Sequence, residues 1–117
     1  MREAGSLILC VDDNDGARYA LVRTLQRAGF RTIEAATGTE ALRKMADRPD
    51  LVVLDVQLPD INGFEVAARL TANGGAVAIV LTSSRDVEDL GFLAGRDGVR
   101  GFIPKSELSG AALEALL

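Results

Sequence analysis

The stretch "LVVLDVQLPDINGFE", residues 51–65, decides the fold because it joins a buried strand to a polar loop and the start of a helix. The apolar residues 51–54 run directly into Asp55. An uninterrupted apolar run is typical of a strand that is covered on both faces of a parallel sheet. Pro59, Asn62 and Gly63 are turn formers that end the strand. A buried strand should not end on a charge without a use for it, so the role of Asp55 is the first question that the sequence raises.

Strand patterns alternate with helical patterns along the rest of the chain. Strands are predicted over 6–11, 31–36, 50–55, 76–82 and 100–104. Helices are predicted over 15–29, 37–46, 63–72, 85–95 and from 106 to 117. Strands that alternate with helices pair in parallel, so we expect a doubly wound α/β sheet with helices on both faces. Residues 1–117 are expected to form one domain of ordinary size.

Capping patterns support the predicted helices. The starts of three helices carry capping residues, namely Asn14 or Asp15, Thr37 with Glu40, and Asn62 with Glu65. Gly29 can end the first helix in the left-handed conformation. Gly91 and Gly95 weaken the helix over 85–95, since each glycine inside a helix costs roughly 1 kcal/mol relative to alanine.

Composition excludes several classes of function. The chain contains no histidine, which excludes Ser-His-Asp and Cys-His catalysis as well as histidine metal sites. The net charge is −4 with no basic patch, so we do not expect this domain to bind nucleic acid. Apolar runs stay far below the ~20 residues that span a bilayer, and no signal-peptide pattern is present, so we expect a cytoplasmic protein. Cys10 lies inside an apolar strand and is expected to be a buried thiol.

Chemically active side chains follow four of the predicted strands. These residues are Asp12 and Asp13, Asp55, Thr82, and Lys105. The carboxyl ends of parallel strands meet at one edge of the sheet, so we expect these side chains to lie together. Clustered carboxylates repel one another unless a cation joins them, and an oxygen-only donor set favours Mg²⁺.

Each of these residues also has an ordinary structural explanation. The pair at Asp12 and Asp13 can cap the first helix, and Asp55 can cap a turn. Thr82 is common between a strand and a helix, and Lys105 is commonly solvated. The joint pattern favours a site, in which Asp55 is a carboxylate nucleophile that attacks phosphorus and becomes an aspartyl phosphate.

The chain resembles the receiver domain of two-component response regulators over essentially its whole length. The segments that carry the resemblance are "LILCVDDN", "LVVLDVQLPDINGFE", "IVLTSS" and "GFIPKSEL". The resemblance implies a flavodoxin-like (βα)5 fold with strand order 2-1-3-4-5. It also implies phosphoryl transfer from a phosphohistidine on a histidine kinase or a histidine phosphotransfer protein. Such a domain is a signalling phosphoacceptor that catalyses its own phosphorylation and dephosphorylation, rather than an enzyme acting on a separate substrate.

The resemblance also implies a set of metal ligands. Asp55 corresponds to the phosphoacceptor of the family. Asp13 would bind Mg²⁺ directly, and Asp12 directly or through a water molecule. Gln57 would supply its backbone carbonyl to the metal, so the identity of its side chain need not matter.

A conformational switch is implied as well. Thr82 corresponds to the family's hydroxyl and Lys105 to its lysine, while Phe102 corresponds to the aromatic switch residue. The phosphoryl oxygens would draw Thr82 inward, and Phe102 would fill the space it leaves; Phe102 can equally be a plain core aromatic. The altered surface could serve a homodimer or an output domain.

Three alternatives remain at this stage. The first is an interaction module that keeps the fold without phosphorylation, which would be expected to lack an acidic, Thr or Lys position. The second is a phosphohydrolase of the haloacid-dehalogenase type, but Gln57 stands where that type needs a second aspartate. The third is a flavin or nucleotide binder, which would need a glycine-rich or hydroxyl-rich loop where this chain has "DDND".

Overall fold

The computed structural model describes residues 6–72, 77–83 and 99–115. The strands are β1 (Leu7–Val11), β2 (Arg31–Ala35), β3 (Leu51–Asp55), β4 (Ala78–Ser83) and β5 (Val99–Pro104). The helices are α1 (Asp15–Arg27), α2 (Gly38–Lys44), α3 (Gly63–Ala72) and α4 (Gly110–Glu114). The predicted helix over 85–95 lies outside the described residues. Within these ranges, every helix is too short or too polar to cross a bilayer.

The five strands form one parallel sheet in the order β2-β1-β3-β4-β5. This order confirms the predicted flavodoxin-like topology. The central strands β1 and β3 are buried along their whole length, whereas the edge strand β2 is mostly half-buried or exposed. Apolar patterning therefore distinguishes central from edge strands, as expected for a sheet that is covered on both faces.

Two hydrophobic clusters lie on opposite faces of the sheet, because successive strand residues point to opposite sides. On one face, α1 and α4 cover the sheet through Leu21, Val22, Leu25 and Leu113. On the other face, α2 and α3 cover it through Ala41, Val66, Ala67 and Leu70. This arrangement confirms the doubly wound architecture, and it leaves the carboxyl edge of the sheet open for polar groups.

Side-chain caps set the helix starts. Asn14 accepts a hydrogen bond from the backbone N–H of Ala17 at 2.8 Å, so Asn14 rather than Asp15 caps α1. Thr37 caps α2 through the N–H of Glu40 at 3.0 Å. Asn62 accepts from the N–H of Glu65 at 2.9 Å at the start of α3. Each hydroxyl or amide oxygen thereby satisfies a donor that the helix cannot satisfy itself.

The last helix begins later than predicted. The sequence favoured a helix from residue 106 onward, but Lys105–Glu107 form one 3-10 turn, after which Leu108 is extended with ψ of 131°. Ser109 then caps α4 by accepting from the N–H of Ala112 at 3.0 Å. Two serines three residues apart offer competing caps, and the structure uses the second.

The second helix is also shorter than predicted. It ends at Lys44, and a 3-10 turn over Met45–Asp47 follows. Arg48 then takes a left-handed conformation with φ of 53°, and Pro49 cannot continue a helix. Gly29 adopts φ of 96° after α1, which confirms its predicted role at the end of that helix.

Cys10 lies in the middle of β1 and is fully buried, as expected. Burial raises the pKa of its thiol to about 12, with a smaller contribution from the charge of Glu34. Only the thiolate is reactive, so this cysteine is chemically inert in the folded protein.

Candidate functional site

The polar residues predicted at the strand ends lie at the carboxyl edge of the sheet. Asp12 and Asp13 follow β1, and Asp55 is the last residue of β3. Asp55 is paired in register with Thr82 of the neighbouring strand β4. One carboxylate oxygen from each of the three aspartates lies within 4.8 Å of the others. The structure therefore brings the three carboxylates together around one small space.

Lys105 supplies the positive charge of this cluster. Its Nζ lies 2.7 Å from Oδ2 of Asp12 and 3.0 Å from Oδ2 of Asp55. Both aspartates are buried, with 4% and 3% of their surface exposed, whereas Asp13 is exposed. A single ammonium thus bridges two buried carboxylates, and a buried charge needs such a partner.

The ionisation of these groups reflects their surroundings. Burial raises the pKa of the Asp55 carboxyl, and the charge of Asp12 adds to this, whereas the Gln57 N–H and Lys105 oppose it. Burial alone would lower the pKa of Lys105, but its hydrogen bonds to Asp12 and Asp55 outweigh that effect and raise it. Lys105 is therefore charged at any physiological pH, whereas the surroundings of Asp55 disfavour its charged form on balance.

Thr82 carries a hydroxyl group that has no hydrogen-bond partner within the part of the chain that the structure describes. Its side chain is 2% exposed, and its Oγ1 is the buried side-chain polar atom that lacks a hydrogen bond among the described residues. A buried hydroxyl without a partner is costly, and such groups often mark functional sites. Thr82 is paired in register with Asp55, so its hydroxyl belongs to the same edge of the sheet as the carboxylates.

Gln57 follows Asp55 by two residues, and Phe102 lies on β5, the strand next to the one that carries Thr82. The Gln57 side chain is exposed, while its backbone N–H donates to Oδ1 of Asp55 at 2.9 Å. Phe102 is half-buried and is in register with Leu81. Its side chain packs against the hydrophobic cluster between the sheet and the helices α2 and α3. Phe102 thus lies next to the strand that carries Thr82, and it also has the contacts of an ordinary core residue.

Arg18 positions the acidic loop, a role that the sequence reasoning missed. Its Nη1 donates to the backbone oxygen of Asp12 at 2.6 Å, and its other nitrogens pair with Asp15 at 2.6 Å and Glu34 at 3.0 Å. The backbone N–H of Asn14 donates to Oδ1 of Asp12 at 2.9 Å. The only sequence signal for Arg18 is an arginine three residues after Asp15 on a helix, a spacing that is common on any helix surface.

Gly63 is needed for close packing rather than only for a turn. A Cβ atom at this position would lie 2.5 Å from Cα of Val56 and 2.6 Å from the carbonyl oxygen of Asp55. The Gly63 N–H donates to the Val56 oxygen at 2.9 Å. The loop that follows Asp55 is therefore closed by a contact that only glycine permits.

The donor set of the cluster fits a hard divalent cation. The three aspartates offer only oxygen atoms, and one of them, Asp13, is exposed. Mg²⁺ favours a site with only a few oxygen ligands from the protein, where water molecules can complete its coordination. The residues present therefore fit such an ion on chemical grounds.

A cleft of about 200 Å³ opens beside the cluster. Its polar side is formed by Asp12, Thr82 and Lys105. Its apolar side includes Ala17, Leu21 and Leu108. Asp12 and Lys105 therefore border a cleft between α1 and the turn that follows β5.

Comparison with known proteins gives a consistent family. Residues 8–116 match the family model described as response regulator receiver domain. The chain is 40% identical over 113 residues to response regulator MprA of Mycobacterium leprae, covering 94% of this chain and 47% of that protein. It is 39% identical over 103 residues to DNA-binding response regulator MtrA of Mycobacterium tuberculosis, covering 84% and 45%. The chain thus spans a little under half the length of these two relatives.

Solved structures give the same fold. A response regulator receiver domain protein (CheY-like) from Methanospirillum hungatei superposes with a TM-score of 0.83, covering 96% of this chain and 90% of that one. The sequence identity is 22%, so this likeness supports the fold alone.

Proposed function

This chain belongs to the family of response regulator receiver domains, and from that premise we propose that Asp55 is the residue on which it accepts a phosphoryl group. A phosphoacceptor role in two-component signalling is the function of the family. The observation that supports Asp55 is its burial beside Lys105 and two further carboxylates. The hydroxyl of the neighbouring Thr82 also has no hydrogen-bond partner among the described residues.

The proposed metal ligands are Asp12, Asp13 and Asp55, together with the backbone carbonyl of Gln57. Mg²⁺, when bound, would neutralise the charge that builds up on the phosphoryl oxygens. The ion pairs of Lys105 already compensate part of the negative charge of the cluster. A site of this kind is easily accessible because Asp13 is exposed.

The chemistry proposed for these residues is a single phosphoryl transfer. A carboxylate oxygen of Asp55 forms a bond to phosphorus while the P–N bond of a donor phosphohistidine breaks. The electron pair of that bond goes to the imidazole nitrogen, which takes up a proton. Lys105 and Thr82 donate hydrogen bonds to the equatorial phosphoryl oxygens. Positioning of the reacting groups and stabilisation of charge supply most of the catalysis in such transfers. The same groups would serve attack by water when the acyl phosphate is hydrolysed.

The proposed donor is a phosphohistidine on a histidine kinase or a histidine phosphotransfer protein, as membership of this family implies. The proposed response is an inward movement of Thr82 followed by a rearrangement of Phe102, which changes the surface near β5. One relative, the DNA-binding response regulator MtrA, is about twice as long as this chain. We therefore propose that residues 1–117 form one receiver unit whose signal passes to an output domain or to a second copy.

Incubation with phosphoramidate tests this proposal, because its P–N bond resembles that of phosphohistidine. Borohydride reduction converts an aspartyl phosphate to homoserine, which peptide mass spectrometry can locate. We expect homoserine at position 55 only when Mg²⁺ is present. Homoserine at another aspartate, with none at 55, would refute the assignment.

A further inference from the structure

Asp60 ties the loop after the proposed phosphoacceptor to the start of α2. Its Oδ1 accepts from the N–H of Gly38 at 2.9 Å and from its neighbour Ile61 at 2.9 Å. Its Oδ2 accepts from the N–H and the hydroxyl of Thr39 at 3.0 and 2.6 Å. The Thr39 hydroxyl, and then the N–H groups of Gly38 and Thr39, hold the pKa of Asp60 well below its ordinary value. Asp60 is therefore ionised whenever the protein is folded at ordinary pH.

These hydrogen bonds complete the start of the helix. Thr37 caps only the N–H of Glu40 with its side chain. The N–H groups of Gly38 and Thr39 are the first two of α2 and have no partner within the helix. Asp60 satisfies both from a position more than 20 residues away along the chain. The hydrogen bonds of Asp60 thus stabilise the start of α2 as well as the loop.

The start of α2 also packs closely against the loop and against α3. A Cβ atom on Gly38 would lie 2.8 Å from Cγ2 of Val66 and 3.1 Å from Cβ of Ile61. The start of α2 therefore rests directly on the loop and on α3. Movement of one would displace the other, because packed contacts of this kind leave no free space.

Two other contacts hold the same loop at its ends. The Gln57 N–H donates to Asp55 at 2.9 Å, and the Gly63 N–H donates to Val56 at 2.9 Å. Residues 58–62 lie between these contacts, and Asp60 links this middle part to another element. Asp60 thus fixes the part of the loop that begins directly after the Gln57 carbonyl.

We propose that Asp60 is a positioning residue for the metal site, acting through α2 to fix the loop that presents the Gln57 carbonyl. This inference rests on the proposed function, since it requires that Gln57 serve the ion. Outer residues that orient metal ligands often affect metal affinity without touching the ion. The coupling is reciprocal, so Mg²⁺ binding also stabilises the hydrogen bonds at the start of α2.

Magnesium titration followed by NMR of backbone amides measures this effect without relying on phosphorylation. We expect Asp60→Ala to raise the Kd for Mg²⁺ about tenfold, at the lower end of the range for outer-shell residues. Thr37→Ala is the matched control, because it removes another cap of α2 but leaves the loop untouched. We expect its Kd to stay within about twofold of wild type. An equal rise in both variants would mean that helix damage alone weakens binding, and would overturn the proposal.

Thr39→Val distinguishes the effect of the hydrogen bonds between Asp60 and α2 from the effect of the negative charge of Asp60. This variant removes the hydroxyl that donates to Asp60, changes no charge, and alters no residue of the loop. We expect the Kd to rise about threefold and amide exchange at Gly38 to quicken. If Thr39→Val bound Mg²⁺ with the wild-type Kd while Asp60→Ala bound it more weakly, the loss of affinity would come from the missing negative charge of Asp60. That result would overturn the proposal. No Mg²⁺ binding by the wild type would instead refute the proposed function on which it rests.

Discussion

At the scale of single residues, the distinctive feature is that two buried carboxylates share one ammonium. Lys105 contacts both Asp12 and Asp55, while Asp13 lies exposed beside them. Three carboxylates and one lysine leave the cluster with an excess of negative charge. A group of this kind is unfavourable for folding and favourable for binding a cation, which is a common trade-off at functional sites.

Asp55→Asn should stabilise the metal-free protein at neutral pH. The pKa of Asp55 is raised above its usual value of 3.8, so the folded protein holds this proton more tightly than the unfolded chain. Stability therefore falls as the pH rises from 3.8 through the folded pKa, so the charged carboxylate makes the folded protein less stable at the upper end of that range. The variant escapes this penalty, and its advantage should shrink as the pH is lowered towards 3.8. Urea unfolding across this range measures it, with the exposed Asp47→Asn as control. If Asp55→Asn were less stable than wild type at pH 7, the conclusion that a charged Asp55 carboxylate destabilises the folded protein would be wrong.

Asp13→Ala should weaken Mg²⁺ binding with little change in stability. Its side chain is exposed, so the folded protein loses no packing. Loss of one of few carboxylate ligands should raise the Kd at least about tenfold. Calorimetric or NMR titration measures this, and Glu107→Ala, at an exposed position two residues after Lys105, controls for the general loss of negative charge near the site. Equal affinities for Asp13→Ala and wild type would remove Asp13 from the ligand set.

Lys105→Ala should bind Mg²⁺ at least as well as wild type, because a competing cation leaves Asp12 and Asp55. Phosphorylation should nevertheless slow by at least about tenfold, since a donor to the phosphoryl oxygens is lost. Parallel measurement of metal affinity and of phosphorylation rate separates the two effects. A wild-type rate would show that Lys105 has no part in the transfer.

At the scale of elements, the loop between β3 and α3 connects the acceptor to the rest of the molecule. Its ends are fixed by local hydrogen bonds, and its middle is fixed by Asp60. The sequence indicates a turn here through Pro59, Asn62 and Gly63, but it cannot indicate the partner of Asp60. That partner lies at the start of α2, and only the packing of α2 on α3 brings it close.

Gly63→Ala should destabilise the protein by about 1–3 kcal/mol, the usual range for an overpacked site. The added methyl group would collide with backbone atoms of Val56 and Asp55, which cannot move aside as a flexible side chain can. Gly16→Ala is a suitable control, since a Cβ there meets nothing closer than 3.4 Å. Chemical unfolding measures both, and equal stability of the Gly63 and Gly16 variants would show that the loop relaxes freely.

Element boundaries show where sequence reasoning stops. The strands and the starts of the first three helices could be predicted because apolar periodicity and caps agree there. The start of α4 could not, because Ser106 and Ser109 give equal capping signals and tertiary packing selects between them. Gly110 lies so close to α1 that an added Cβ would come within 2.6 Å of Ala28. Such contacts between distant elements are invisible in a local pattern.

At the scale of the whole molecule, the parallel sheet gathers residues from distant parts of the chain at one edge. Asp12, Asp55 and Lys105 could be predicted to meet because each follows or ends a strand, and all parallel strands end on the same side. Arg18 could not be predicted to hold the Asp12 backbone, because that contact depends on how α1 packs on the sheet. The topology thus fixes which groups meet, and side-chain packing fixes how they are held.

Intact-protein mass spectrometry after incubation with acetyl phosphate tests the central claim most directly. The three samples are wild type with Mg²⁺, wild type with EDTA, and Asp55→Ala with Mg²⁺. We predict a gain of one phosphoryl group in the first sample and none in the other two. A gain of the same size in Asp55→Ala, or in EDTA, would contradict the account of Asp55 as a metal-assisted phosphoacceptor.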